Sequence, residues 1–370
     1  QNIISKTKRN TVYSTILLIS IISAVTLLVA SFAGNISPKL ITVIQPLTLV
    51  YPIIVIINIG LLLYWITARS KISLIILILL LVVSNDIFTN FQITFLNSPK
   101  NDKEDIKLLS YNVKNFNERD NNSVDKSSRF GIIRFLNDED PDIICTQEYY
   151  STNTNLYEPL KQFRDTLGMK SYYYESYFNP KYNQLLGLAT FSKYQAINKG
   201  KLKFEGSRSF GIYTDLIVNN DTLRIFNIHL ASIKLTPEDL DFVMNTESDN
   251  ENNIKNKTTD IYFKMREAYL LREMQVKYLM KVLEQTPHKV IMAGDFNDTP
   301  SSWVYKNVSK DLTDAFVSKG IGLSPTYAGP LPFLRIDYIL VDQGYDVTYY
   351  SRHKFENSDH YPISAVIKAL

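Results

Sequence analysis

Six short segments of this chain end in a carboxylate, a carboxamide or an imidazole: Tyr111-Asn112, Gln147-Glu148, Asn227-Ile228-His229, Gly294-Asp295-Phe296-Asn297, Arg335-Ile336-Asp337 and Ser358-Asp359-His360. Carboxylate and carboxamide oxygens are hard donors of the kind that hold Mg²⁺ with several of its waters kept. Imidazoles titrate near neutrality and move protons in either direction. Four of these groups close an apolar run of strand length and two stand at or just before the start of one, and side chains at strand ends converge on one rim of a sheet. Their repeated placement therefore reads as a single site assembled from distant parts of the chain.

The elements that must carry these groups are short apolar runs bounded by polar turns: Ile106–Tyr111, Asp142–Thr146, Gly187–Phe191, Gly211–Val218, Thr222–His229, Lys289–Ala293, Ile336–Val341 and Ile363–Ile367. Helical stretches intervene. The clearest is Thr259–Glu284, where Tyr262, Met265, Tyr269, Met274, Tyr278 and Leu279 recur near helical spacing, and a second covers Ser127–Leu136. The class is α/β, and strands this numerous predict two sheets packed face to face. Ser232–Thr258 is rich in Asn, Asp, Glu and Lys, and its 245–257 stretch reads as a solvated loop, placed to cover the site because it leaves from the His229 segment.

The segments LLSYNVKNF, DIICTQEYY, FNIHLAS, MAGDFNDTP, RIDYILV and SDHYPISAVI resemble, in order and approximate spacing, the motifs of the endonuclease/exonuclease/phosphatase superfamily. That superfamily includes deoxyribonuclease I, neutral sphingomyelinases and inositol polyphosphate 5-phosphatases. Any one motif is weak, whereas six in order over residues 105 to 370 make coincidence improbable. The resemblance implies a four-layered α/β sandwich, two packed mixed sheets flanked by helices, and the hydrolysis of phosphoric esters. It implies Mg²⁺ as cofactor, with Mn²⁺ as a substitute, held by Asn112, Glu148, Asp295, Asn297, Asp359 and His360. Glu148 is the principal ligand, with Asn112 beside it. The implied catalytic set is His229, Asp295, Asn297, Asp337 and His360: His360 activates water, His229 paired with Asp337 serves the leaving side, and Asp295 is the alternative base. The N-x-H-L-x-S context of His229 is similar to the deoxyribonuclease I and sphingomyelinase branch and unlike the abasic-site endonucleases.

The other polar residues carry less. Cys145 is the single cysteine, so neither an intramolecular disulfide nor a multi-thiolate zinc site is available, and its Ile143-Ile144-Cys145 setting predicts a buried structural thiol. His288 and His353 fall in no motif and read as surface residues. Arg335 reads as a surface ion-pair partner at least as readily as a phosphate contact. Tyr172–Tyr174 and Tyr177 read as strand packing before stacking on a ligand.

Ahead of this domain the chain is of another kind. Between Asn10 and Ala68 the only charge is Lys39, and three apolar runs, Val12–Ala33, Leu40–Thr67 and Ile72–Phe95, each approach the roughly 20 residues that span a bilayer. The third is the weakest, because Ser84-Asn85-Asp86 follows its apolar part. A cleaved signal peptide is the simpler reading of the first run, but Ser31-Phe32-Ala33 is a poor cleavage site and more apolar runs follow. Residues 1–95 are thus expected to be a membrane anchor of about three helices, 96–105 a polar linker, and 106–370 the catalytic domain. Basic residues favour the cytoplasmic side: Lys6, Lys8 and Arg9 precede the first run, and Arg69 and Lys71 separate the second from the third. Three spans in the cell membrane then leave the domain extracytoplasmic, periplasmic in a Gram-negative bacterium; two leave it cytoplasmic.

The formal net charge of +3 conceals a split, since from Lys100 onward 34 basic residues face 36 acidic ones. This does not point to a broadly basic nucleic-acid-binding face. The substrate expected is a phosphodiester, in a nucleic acid or a phospholipid head group. The partner expected is the membrane, through the N-terminal helices, with no protein partner. The alternative from another class is a catalytically inactive, membrane-tethered binding protein of the same fold.

Overall fold

The computed structural model describes residues 2–94, 104–117, 127–152, 157–179, 184–244 and 251–369. All but the last two residues of the expected 96–105 linker, and the middle of the Ser232–Thr258 segment, lie outside the described residues. The chain divides into two compact units: Gln1–Asn90 together with Pro300–Lys306, and Phe91–Thr299 together with Asn307–Leu370.

The first unit is helical, with elements at Asn2–Ala33, Tyr51–Thr67, Ile72–Val82 and Ser84–Asn90. Thr11–Ala33 is long and apolar enough to cross a membrane, and a signal sequence presents the same features. The second expected run does not form one span. Pro46 sits in the short 3₁₀ turn Gln45–Thr48, and Pro52, in the first turn, allows the next helix to start only at Tyr51 and run 17 residues. The third breaks after Val82: Ile72–Val82 and Ser84–Asn90 are bent by 63° and make a span only if taken together. Among the described residues, therefore, one helix passes as a span, or two if the bent pair is one, against the three expected. Leu18, Ile19, Ile22 and Val25 face outward, while the inner face carries polar ties, Trp65 Nε1 to Ser20 Oγ at 2.8 Å and Asn58 Nδ2 to Ser23 Oγ at 2.8 Å. Asp86 accepts from the Ser31 hydroxyl and pairs with Lys306 at 2.8 Å, so its buried charge is compensated.

The second unit is built on two six-stranded mixed sheets. One runs, edge to edge, Tyr345–Arg352, Ile363–Ala369, Ile106–Asn112, Ile143–Thr152, Gln184–Ser192, Ser171–Asn179. The other runs Leu312–Asp314, Asp337–Asp342, Lys289–Asp295, Asp221–His229, Phe210–Val218, Gln195–Lys203. All eight expected strands are present. Of the six unforeseen ones in the described residues, four, among them the tyrosine-rich Ser171–Asn179 and the lysine-bearing Gln195–Lys203, are the edge strands of these two sheets, and Gln92–Ile93 and Ile321–Gly322 pair as a separate two-stranded sheet. Edge strands need only one apolar face, and charged side chains there discourage pairing with other chains.

The facing surfaces of the sheets bury Leu108, Ile143, Cys145 and Ala365 against Leu216, Ile225, Ile291 and Ile339. Cys145 is fully buried, and burial pushes its thiol up to about 12, as a structural thiol requires. On the outer face of the first sheet, Ile132 and Leu136 of the helix Ser127–Glu139, with Leu160 and Phe163 of Tyr157–Thr166, cover Leu109, Ile144 and Phe191. With the long helix Glu251–Glu284 this completes the expected four-layered α/β sandwich. That helix starts eight residues before the expected Thr259, so the described 251–257 part of the expected loop is helical, and a further helix covers Pro237–Met244. Its buried face is Ala268, Tyr269, Arg272, Gln275, Val276 and Leu279, whereas Met274 and Tyr278, expected on that face, are exposed.

Each sheet contains a single parallel pair, Ile106–Asn112 with Ile143–Thr152 and Asp221–His229 with Lys289–Asp295. The parallel register sets Asn112 beside Gln147 and His229 beside Asp295, and the antiparallel pairing sets Asp337 beside Asp295. The carboxyl ends of the parallel strands are where α/β sheets present ligand groups, and four of the six motif segments end there.

Candidate active site

Two local departures from regular strand geometry aim the side chains. Between Thr146 and Tyr149 the ladder slips, so that Gln147 and Glu148 together oppose one residue of the neighbouring strand. A bulge of this kind redirects side chains. Gln147 turns into the sandwich and donates to Asn227 Oδ1 at 2.8 Å, and Asn227 Nδ2 donates to the Ala189 carbonyl at 3.0 Å, tying one sheet to the other. Glu148, with φ of 50°, turns outward and is about a third exposed in a cavity. At the other sheet, Gly294 has φ of 143°, and a Cβ there would lie 2.0 Å from the Ile228 carbonyl oxygen. Only glycine lets the two parallel strands approach so closely where Asp295 leaves the ladder.

Asp295 is the hub. Its Oδ2 accepts from Asn112 Nδ2 at 3.0 Å and its Oδ1 from the Asn297 backbone N–H at 2.8 Å. The same Oδ2 stands 3.7 Å from Nε2 of both His229 and His360. His229 Nε2 lies 4.0 Å from Glu148 Oε1. Asn297, itself at φ of 52°, donates through Nδ2 to the Leu230 carbonyl at 3.0 Å, which joins the Asp295 turn to the His229 segment.

His360 Nδ1 pairs with Asp337 Oδ2 at 2.9 Å. This corrects the expected pairing of Asp337 with His229. Asp337 is a strand residue beside Asp295, and the His360 loop folds over that edge: Tyr361 N–H donates to the Thr326 carbonyl and the Thr326 hydroxyl accepts from the Asp337 N–H. His229, on the far side of Asp295, belongs instead with Glu148, and both line a cavity.

Burial alone would lower the His360 pKa. The carboxylates of Asp337 and Asp295, the hydrogen bond that the ring donates to Asp337 and the charge of Asp359 outweigh it and raise the imidazole to about 10, so it holds its proton at neutral pH. For Asp295 burial dominates and pushes the carboxyl up, reinforced by Asp337 and opposed by the two histidines.

The sequence-derived residues thus gather around one centre with unequal engagement. Asp295, Asp337 and His360 form a buried trio whose ligand atoms lie within 4.8 Å of one another. Asp359 is already paired with Lys114 Nζ at 3.0 Å, and Asn112 Oδ1 accepts the Lys114 N–H. The donors on hand are the hard oxygens of carboxylates and carboxamides, a set whose chemistry fits a divalent cation such as Mg²⁺.

Four residues of the surroundings escaped the sequence reading. The Tyr327 ring meets His360 edge-on at 5.6 Å. On the long helix, fully buried Arg272 reaches Asp298 at 2.9 Å and the Ala231 carbonyl at 2.9 Å, and Gln275 accepts the Ala231 N–H at 3.0 Å. Arg272 and Gln275 stand three residues apart on one helical face, a spacing that signals a shared target but cannot say which. Lys114 opens a run of four non-glycine residues with positive φ, Lys114 to Asn117. Arg335 is an ion-pair partner, as one expected reading had it, but the pair is buried, with Asp314 at 2.7 Å. His353 is also not a surface residue, being part-buried between Ser364 at 2.8 Å and Glu139 at 3.3 Å, while His288 is half-exposed.

Two sheets with one parallel pair each, and acids, amides and imidazoles gathered at their carboxyl ends, define a class of α/β sandwich hydrolases. Residues 109–360 match the Endonuclease/Exonuclease/phosphatase family, and the chain belongs to it. Residues 13–90 match a separate domain of unknown function (DUF8431). No curated protein sequence matches the chain. Among solved structures, an endonuclease/exonuclease/phosphatase from Beutenbergia cavernae DSM 12333 is 15% identical with a TM-score of 0.52, covering 72% of each chain. One from Bacteroides vulgatus is 14% identical with a TM-score of 0.52, covering 72% of this chain and all of its own. The human Nocturnin catalytic domain with bound sulfate anion is 15% identical with a TM-score of 0.52, covering 75% of this chain and 98% of its own. At these identities the likeness is one of fold.

Proposed function

We propose that this chain is a membrane-anchored, divalent-metal-dependent hydrolase of phosphoric esters, a phosphodiesterase acting on nucleic acid or on a phospholipid head group. The observation that carries the reading is the chain of contacts Glu148, His229, Asp295, His360, Asp337, in which acid and imidazole alternate within 4.0 Å across both sheets. A core stabilised for its own sake would replace such groups with apolar ones, since buried charges are costly unless used.

Glu148 would hold the Mg²⁺, with the oxygens of Asn112, Asn297 and Asp359 as the further donors, while Asp295 and the protonated His360 stay free of it. When bound, the cation supplies charge neutralisation at the phosphoryl oxygens. The chain's own groups divide the remaining work. Asp295, whose raised pKa brings it nearer the range of a base, accepts the proton of the attacking water. His360, protonated and fixed by Asp337, stabilises negative charge on the phosphoryl group, a role better matched to a pKa of about 10 than the base role expected from the resemblance. His229, part-exposed at the cavity, passes its proton to the leaving oxygen as the P–O bond breaks.

The anchor is the helix Thr11–Ala33, with Lys6, Lys8 and Arg9 kept on the cytoplasmic side. A single crossing by that helix leaves the catalytic domain outside the cell membrane. A C-terminal reporter tests this, since activity of a cytoplasm-restricted reporter contradicts it.

The function is tested by assaying the purified full chain in detergent with Mg²⁺, with Mn²⁺ and with EDTA. Substrates are bis(p-nitrophenyl) phosphate, plasmid DNA, RNA and sphingomyelin. Hydrolysis of at least one, lost in EDTA, is expected; failure on all four would remove the enzymatic reading.

A further inference from the structure

Glu148 and His229 line a cavity of about 680 Å³, the size of a small-ligand site. Its floor is apolar, with Leu186, Leu188 and Phe210 buried and Tyr177 and Leu271 half-buried beside them. Its rim is polar and carries two exposed cations, Arg208 and Lys234. Neither forms an ion pair with Glu267 of the same rim or with any other described residue. The two loops that present them are built, not loose. Ser207 Oγ accepts from Gln275 Nε2 at 3.0 Å and from the Ser209 N–H at 3.0 Å, while the other end of the same buried glutamine accepts the Ala231 N–H. One side chain of the long helix thus holds the Arg208 loop and the loop running from His229 to Lys234. Lys234 itself sits at φ of 51°, a backbone conformation that an L residue adopts only where its surroundings impose it.

We propose that this cavity receives the part of the substrate next to the scissile phosphate, and that Arg208 and Lys234 select substrates bearing a second phosphate there. This rests on the reading of Glu148 and His229 as the hydrolytic centre. Two unpaired cations against the single rim carboxylate of Glu267 leave the rim net positive, which favours an anion over a quaternary ammonium, so a choline head group is disfavoured. The apolar floor takes the uncharged body that joins the two phosphates, and the serine hydroxyls of the rim supply its hydrogen bonds.

The test uses the full chain in detergent and paired probes differing by one phosphate: a thymidine dinucleotide with and without a 5′-phosphate, and glycerophosphoinositol with and without ring phosphates. The added phosphate is expected to raise kcat/KM roughly tenfold in at least one pair, the scale of charge-assisted hydrogen bonds at a part-exposed site. The pair that responds identifies the source of the second phosphate. In Arg208→Ala/Lys234→Ala the ratio within that pair falls to near one, and in Arg208→Glu it falls below the wild-type ratio. Equilibrium binding of the same pairs to the EDTA-treated chain gives a readout independent of turnover. A chain that hydrolyses nothing removes the hydrolase reading, while a preserved binding ratio still supports the subsite. Ratios near one in both assays, or ratios unchanged in the variants, would overturn the subsite.

Discussion

Arg272 Nε and Asp298 Oδ2 lie 2.9 Å apart with both side chains shut away from solvent. The same guanidinium donates through Nη1 to the Ala231 carbonyl, so one residue of the long helix grips the segments that follow Asn297 and His229.

Removing one partner of such a pair strands a buried charge. Arg272→Ala is therefore expected to lose about 3–5 kcal/mol of stability, read as a lower urea midpoint with little change in slope. Turnover should fall as well, because the His229 and Asp295 segments lose their common clamp. A midpoint within experimental error of wild type would show that the pair holds nothing.

Gly294 offers a test of the strand approach beneath Asp295. Gly294→Ala drives a methyl group to 2.0 Å from the Ile228 carbonyl oxygen, and a loss of about 3 kcal/mol or more, with poor soluble yield, is expected. At Gly206, where φ is 68° but nothing stands within 4 Å, alanine should cost only about 1 kcal/mol. Equal losses at the two positions would contradict the role given to close packing.

The raised His360 pKa makes a prediction of definite sign for the metal-free protein. Because the folded value, about 10, exceeds the ordinary 6.5, the contribution to stability is complete below pH 6.5 and declines as pH rises through about 10. The unfolding free energy in EDTA should fall over that window by roughly a few kcal/mol, and Asp337→Asn should flatten the slope. A profile of equal steepness in Asp337→Asn would place the source elsewhere.

Much of the candidate site was legible from residue types alone, because the motif residues sit at the ends of central strands, where apolar runs are clean and polar exceptions stand out. Asp295, Asn297, Asp337 and His360 announce themselves in that way. Pairing is less legible. Whether Asp337 meets His229 or His360 depends on how the loop after Ser358 crosses the sheet edge, a long-range matter no local pattern encodes. Buried polar residues hide for the opposite reason: Arg272 and Gln275 sit on the core-facing side of a helix where apolar residues are sought, so the apparent stripe shifted to exposed Met274 and Tyr278. The first turns of that helix, rich in Asn and Lys, carry no apolar period at all. In the N-terminal unit apolar content was read correctly but its breaks were not, since Pro46, Pro52 and the bend at Val83 divide runs that composition alone joins.

Cation binding should be visible without turnover. Mg²⁺ that binds the folded chain and not the unfolded one raises the thermal midpoint in proportion to its occupancy. Wild type is expected to show that rise and Glu148→Ala to lose most of it; an identical rise in both would move the cation away from Glu148.

The most direct measurement is the Mg²⁺-dependent hydrolysis of bis(p-nitrophenyl) phosphate by wild type, Glu148→Ala and His360→Ala, each confirmed folded by circular dichroism. A single centre spanning both sheets predicts that either substitution lowers kcat at least about a hundredfold. Either variant turning over at the wild-type rate would mean that these groups do not act on one phosphate.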